Sequence, residues 1–555
     1  MAKNLKNVAL ALVVLVGLNV LATLVYTRID LTEDKRYTLS AAAKETVIQF
    51  EAPVIVDILL EGNLPSEFNR LKNETLLLLD QFKAENSKIS YNLVNPLEGV
   101  TNKEQTLVEL QNLGLKPASV TINQDGKTSQ EFVFPWAMIN YGNKTVKVPL
   151  LKNKLGATPE ERINNSVQNL EYAFADAFTK LTTTNKKKIA VLKGNGELAD
   201  QYLADFLTTI KEYYNIGAIT LDSVSANANG VLTQLNGFDM ALIAKPTLPF
   251  NDQEKYVLDQ YMVQGGKTLW LLDQVAMEMD SLYNDTGSAI ALPFNLELDD
   301  LLFKYGVRVN PVLVNDLYNT PIVMANGSGN DSQYNPYPWP YNPMVFSREN
   351  HPINKNIEAI RLQFANGIDT LSNAYKKNVL LQASPLSRTE GIPKEINLNL
   401  LANPPKQEDY TPNAGAPLAV LIEGTFTSAY KNRVKPILLQ NSVEEGPNNK
   451  MIVIADGDIV KNQMERGRPL ELGFDKWTNS FYGNKEFLVN CVNYLLDDTG
   501  LINIRNKKVS IPVLDPQKIA DTKQKWQLIN TLLPVSLLLL LGLIYSWYRK
   551  QSYKS

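Results

Sequence analysis

The sequence predicts an α/β protein with two sheet domains held between two membrane-crossing helices. Three observations carry this. Val8 to Tyr26 and Leu528 to Trp547 are each about twenty residues without a charge, the length needed to cross a bilayer. Between Val54 and Leu181, short apolar strand runs alternate with stretches of helical period. From Ile189 to Asp497 the alternation resumes with fully apolar strands, which suit a mostly parallel, doubly wound sheet covered on both faces. The 555 residues then divide into an anchor (1–27), a first α/β domain (28–182), a larger α/β domain (183–515) with an insertion near 319–416, and a juxtamembrane segment with a second anchor (516–555).

The first span is longer than the 7–15 residues of a cleaved leader, and Val25-Tyr26-Thr27-Arg28 offers no small-x-small site. Trp526 and Trp547 bracket the second span, as interfacial aromatics should. Lys3 and Lys6 precede the first span, and Arg549, Lys550 and Lys554 follow the second. Both basic tails belong on the cytoplasmic side, which places the bulk of the chain across the inner membrane in the periplasm. Asn19 and Thr23 lie four apart in the first span, so they share a helix face and are expected to bond to another helix in lipid.

A net charge of −3 gives no global basic field, which argues against a nucleic-acid partner. One cysteine, Cys491, excludes an internal disulfide and any cysteine-based metal cluster. One histidine, His351, would have to serve any Ser-His-Asp or Cys-His centre. No Walker motif or zinc spacing appears.

Taken in order, Tyr37 and Leu39 in Asp30–Ser40 are expected to pack on the first domain, and Ser40 caps a short helix. Val54–Leu60 is a strand, Glu67–Asn86 an amphipathic helix and Ile89–Val94 a strand. A helix around Leu107 and Leu110 follows, then a hairpin through Gln124-Asp125-Gly126-Lys127 and a turn at Tyr141–Lys144. Ser166–Leu181 is a helix with Leu170, Phe174, Phe178 and Leu181 on one face. This β-α-β-α-β-β-α order is that of a thioredoxin-like domain, here without Cys-x-x-Cys and so without its redox chemistry.

Past the Thr182–Lys188 linker come strand Ile189–Leu192, helix Leu198–Tyr214, strand Phe238–Pro246, helix Asn251–Gln264 and strand Lys267–Asp273. Leu298–Tyr305 and Val312–Asp316 are expected to continue the pattern. After the Asn-, Pro-, Gly- and Tyr-rich insertion it resumes at Pro417–Ile422 and Met451–Asp456, with helix Asn484–Asp497 and a last extended piece at Val509–Leu514.

Four features bear on chemistry. Gly194-Asn195-Gly196-Glu197 joins a strand to a helix, where open sheets bind ligands, although a tight turn explains it equally. Asp273, Asp456 and Asp458 end strands, where they hold a metal or cap a turn. Cys491 sits at helical spacing with Phe487, Leu488 and Leu495, which makes it a buried, unreactive thiol. The string Tyr334-Asn-Pro-Tyr337-Pro-Trp339-Pro-Tyr341 is stiff and aromatic; its rings either stack on a sugar or protein or cover the sheet beneath.

Several strings together resemble a known family: Arg28–Ser40, Gly194–Glu197, Asp259–Asp273, Pro338-Trp-Pro-Tyr341 with His351-Pro-Ile353, Glu423–Phe426, Gly483–Asn490 and Leu495–Asp498. The chain is similar to the GldG family, auxiliary components of the gliding-motility ABC transporter of Bacteroidota. The resemblance implies an ABC permease and a cytoplasmic ATPase as partners, and a link to type IX secretion. It also implies a central domain like that of intraflagellar-transport proteins and of class I glutamine amidotransferases. Where that family often has Gly-His-Gly-Glu, this chain has Asn195. The expectation is a non-catalytic protein without cofactor. The alternative is a periplasmic glycan-binding or glycan-processing envelope protein.

Overall fold

The computed structural model describes residues 10, 12–17, 19, 30, 32, 35, 37–124, 127–152, 155–326, 333–348, 350–497, 500–506 and 516–552. The chain divides into two compact units, residues 1–508 and 509–555.

The first unit opens with helix α1 (Ala41–Ile48), whose N-cap Ser40 accepts from the Ala43 amide through its hydroxyl. Strand β1 (Val54–Ile58), helix α2 (Ser66–Glu85), strand β2 (Ile89–Leu93) and helix α3 (Lys103–Asn112) follow. Strands β3 (Ala118–Gln124) and β4 (Lys127–Val133) pair only with each other. Strands β5 (Trp136–Tyr141) and β6 (Lys144–Pro149) complete a four-stranded sheet of order β2-β1-β5-β6. In it β1 and β2 are parallel, and β5 and β6 are antiparallel additions. The β5–β6 turn needs Gly142 at φ +58°, a conformation that costs glycine little.

Helix α4 (Pro159–Thr182) starts from a capping box of Thr158 and Glu161 with Pro159 in its first turn. Its Phe174 and Phe178 join Phe50 and Phe82 in the core under the sheet, with Phe178 meeting Phe82 edge-on at 5.1 Å. Leu39 is buried in the same core and Tyr37 is half-buried. The Ser40 amide donates to Glu171 of α4 at 2.8 Å, so this end of the lead-in segment is tied down as expected.

A second sheet follows from strands β7 (Lys188–Lys193), β8 (Asn215–Thr220), β9 (Met240–Ala244) and β10 (Lys267–Leu271), with helices α5 (Asp200–Lys211), α6 (Val224–Leu235) and α7 (Asp252–Val263) between them. The insertion carries strands β11 (Asn319–Asn326) and β12 (Gln333–Val345). Strands β13 (Lys376–Gln382), β14 (Pro417–Thr427) and β15 (Glu445–Ile454) close a seven-stranded sheet of order β13-β14-β15-β10-β9-β7-β8. The run from β15 to β8 is parallel and β14 is antiparallel to its neighbours. Helix α8 (Asn484–Leu496) covers one face and buries Phe487, Leu488 and Cys491; α6 and α7 cover the other.

Leu298–Tyr305 continues the alternation as a short helix, Asp299–Lys304, which Asp299 and Asp300 open, in agreement with acidic residues favouring a helix start. One expectation changes. Val312–Asp316 is a strand, but it pairs with Ser387–Gly391 outside the seven-stranded sheet. Val509–Leu514 lies outside the described residues, as do Thr23 and most of the first apolar run.

The two α/β halves of this unit share a partly buried ionic joint. Glu486 of α8 pairs with Lys152 at 2.8 Å and with Arg505 at 2.6 Å. The Arg505 guanidinium lies over the Tyr172 ring of α4 and donates to the Lys355 carbonyl. The second unit is one helix, α9 (Pro516–Ser552), in which the 30-residue stretch Thr522–Gln551 is long and apolar enough to cross a membrane.

Candidate functional site

Parallel strands end at a common level, so the residues just past β9, β10 and β15 meet. Lys245 follows β9, Asp273 follows β10, and Asp456, Gly457 and Asp458 follow β15. The Lys245 ammonium, almost wholly buried, lies 2.7 Å from Asp458, 3.0 Å from Glu278 and 3.4 Å from Asp273. Lys461 bridges Glu278 at 3.1 Å and Asp458 at 3.4 Å. Asp273 accepts from the Gly457 amide, and Asp456 accepts from the amides of Gln363 and Asp458.

Burial works against the Lys245 charge, but Asp458, Asp273 and Glu278 outweigh it and hold its pKa above the ordinary lysine range. Burial pushes the Asp273 carboxyl up to about 6 against the pull of Lys245. Burial, with Asp273 and Asp458 close by, holds Asp456 well above the carboxylate range. Asp273 and Asp458 are thus brought together around a lysine side chain. Among the described residues no group of His, Cys, Asp and Glu fits a metal.

Above this cluster opens a cleft of about 600 Å³. One wall is five consecutive residues of β11, Pro321 to Ala325; the others include Tyr202, Tyr283, Arg361, Lys461 and Trp477. Arg361 stands 3.7 Å from Asp475, with its Nε buried and without a hydrogen-bond partner. Trp477 is 57 % exposed and stacks on Tyr334, itself 65 % exposed, at 6.0 Å. Lys245, Arg361, Lys461 and Trp477 were not legible as site residues. They lie far apart in the chain, and the one local signal is a charge closing the fully apolar strand β9.

The aromatic string divides. Trp339 and Tyr341 are buried in the core beneath the insertion, where Tyr341 stacks on Phe364 and donates to Glu390. Tyr337 is half-buried, and its hydroxyl accepts from Asn326. Only Tyr334 is on display at the cleft mouth.

The Gly194–Glu197 loop turns its polar groups inward. The Asn195 side chain donates to Glu254, the capping residue of α7, and to the Pro249 carbonyl. Glu197 accepts from the Asn195 amide. Burial pushes the Glu197 carboxyl up. Gly196 has a φ of +72° and a Cβ there would meet the Thr247 hydroxyl, so the turn itself accounts for the glycine.

His351 is half-buried, accepts from the Ile353 amide and sits edge-on to Tyr494 at 4.6 Å. Burial lowers its pKa to about 4. Cys491 is wholly buried and burial pushes its thiol well up. Neither lines the cleft. Asn19 donates to the Leu15 carbonyl of its own helix turn, and Thr23 lies outside the described residues.

No curated protein matches the chain. The solved mmIFT52 N-terminal domain is similar over 56 % of this chain and 98 % of its own, at 13 % identity and a TM-score of 0.33. A score that low carries no argument. A domain of unknown function matches residues 33–140. A family described as an ABC-type uncharacterized transport system matches residues 186–491, more than half of the chain and all of the strand-end cluster. The chain belongs to this family of ABC-transport auxiliary components.

Proposed function

We propose that the chain is a non-catalytic, membrane-anchored auxiliary subunit of an ABC transporter, and that the cleft above the strand ends is where its soluble part engages a partner. The family match over residues 186–491 is the observation that carries the reading. The structure adds support. Asp273 and Asp458 are paired with Lys245, and neither His351 nor Cys491 lines the cleft, so no histidine- or cysteine-centred nucleophile–base pair faces it. The sheet order β2-β1-β5-β6 with α2 and α4 supports a thioredoxin-like first domain. Helix α9 supports the C-terminal anchor.

The finer reading follows the sequence resemblance. The first apolar run is a second anchor, the bulk of the chain is periplasmic in a Bacteroidota cell, and the partners are a permease and a cytoplasmic ATPase serving gliding motility and type IX secretion. Asn19 and Thr23 contact the permease within the bilayer. The glycan reading has less support, because burial withdraws Trp339 and Tyr341 from any ligand.

Affinity purification from native membranes tests this. The permease and ATPase should co-purify with the full chain, and Asn19→Leu should weaken their recovery by on the order of 1 kcal/mol in association. Deletion of the gene should abolish gliding. Recovery of the full chain without any ABC subunit would overturn the proposal.

A further inference from the structure

The geometry points to β11 as a strand-addition site, and we propose that the cleft takes an extended polypeptide segment of a partner protein, hydrogen-bonded along the free edge of β11. This rests on the reading of the cleft as the partner-binding element.

The order β11-β12 with the short strand Ile360–Arg361 beyond it leaves β11 with one strand neighbour among the described residues. Its register fixes which backbone groups are spare. Val323 faces Pro336 and Pro321 faces Pro338. A proline has no amide hydrogen to exchange, so these are the non-bonded pairs of the ladder. Ile322↔Tyr337 and Met324↔Asn335 are then the bonded ones. By alternation the amide and carbonyl groups of Val323 and Ala325 point to the other side, into the cleft that both residues line.

The edge is guarded only at its start. Natural edge strands are commonly blocked by lysines, prolines or bulges. Here β6 ends its sheet with Lys144 and Lys147, and β13 ends its own with Lys376 and Lys377. Strand β11 has a register shift between Asn319 and Pro321, and the Pro321 nitrogen faces the free edge, but from Ile322 to Asn326 it carries no charge, proline or bulge. That stretch is the kind of edge that pairs with another chain.

The rest of the cleft selects a polypeptide. An added strand would lie about 4.8 Å from β11, and about 600 Å³ is within the range of ligand clefts. Its walls alternate rings and thioethers, Tyr202, Tyr283, Trp477, Met279 and Met464, with charges of both signs. Arg361, Lys461 and Lys476 stand against Glu278, Asp280, Asp458 and Asp475. This balance disfavours a polyanion or a lipid surface and suits a segment with mixed side chains.

The test uses the full chain in lipid nanodiscs and a displayed library of random ten-residue peptides. Selection on the wild type should enrich peptides that bind Val323→Pro at least tenfold more weakly. Such peptides should slow hydrogen exchange in residues 321–326. Proline is tolerated at an edge position whose amide faces outward, and an unchanged melting midpoint verifies the fold; Ala325→Pro serves if Val323→Pro unfolds. Enriched peptides that bind Val323→Pro undiminished but lose Trp477→Ala overturn strand addition and leave the cleft reading standing. A library from which nothing depends on either residue overturns both. Dimers of the wild type that Val323→Pro abolishes, without peptide binding, overturn the proposed occupant in favour of a second copy.

Discussion

Replacing Lys245 by methionine tests whether the strand-end cluster is held together by its charge. The two side chains are similar in length, so the change removes the ammonium and little packing. Asp273 and Asp458 are both buried and both lie within 3.4 Å of that ammonium. Breaking a buried ion pair from one side costs about 3–5 kcal/mol, because the remaining charge is stranded. The loss should depend on pH. In the variant the Asp273 carboxyl keeps a folded-state pKa above its unfolded one, so the folded state binds more protons than the unfolded state. Stability then falls as pH rises through the window between the unfolded value near 4 and the raised folded value. Asp273 already stands at about 6 in the presence of Lys245, so without it the window extends at least that far. Urea unfolding of the full chain in detergent should show the full loss at pH 7.5 and a clearly smaller one at pH 5. A loss below about 1 kcal/mol at pH 7.5, or an equal loss at both, would refute the electrostatic account.

His351 is the sole histidine, so its proton NMR titration is unambiguous. The midpoint should lie near 4, and because the unfolded state takes the proton first, stability should drop by about 3 kcal/mol in all as pH falls from 6.5 to 4; a midpoint near 6.5 would contradict the burial. Cys491 should resist a thiol reagent in the folded chain and react fully in denaturant, since burial raises its pKa and closes access. Gly446→Ala should destabilise by about 1–3 kcal/mol or more, because its Cβ would fall 1.5 Å from the Val263 carbonyl oxygen, whereas at Gly391 a Cβ meets nothing within 4 Å and the same change should be near neutral. Equal melting points for the two glycine variants would show that the β15–α7 approach is looser than described.

What the sequence disclosed followed periodicity. Helices α4 and α8 carry clean apolar stripes, and β7, β9, β10 and β15 are continuous apolar runs, so their type and place were legible. Strand β8, Asn215-Ile-Gly-Ala-Ile-Thr220, was missed because an edge strand half open to solvent shows no such run. Strand β13 was hidden in the polar insertion for the same reason. The cleft escaped because its residues come from loops that only the fold assembles: Lys245, Arg361 and Trp477 share no spacing rule. The aromatic string was conspicuous, yet its chemistry lies mostly underneath, with Trp339 at 0 % exposure and only Tyr334 outside.

The joint of Lys152, Glu486 and Arg505 bears on how a load would travel. Arg505 is almost wholly buried, and Lys152 and Glu486 are partly so, which leaves these charges few alternative partners. A second contact, Lys116 to Glu471 at 2.6 Å with Lys485 behind it, joins the same two halves at the surface, where an ion pair adds little. A pull delivered to the first half would therefore pass to the second mainly through Arg505 and Glu486, and that joint would set how firmly the two halves move as one.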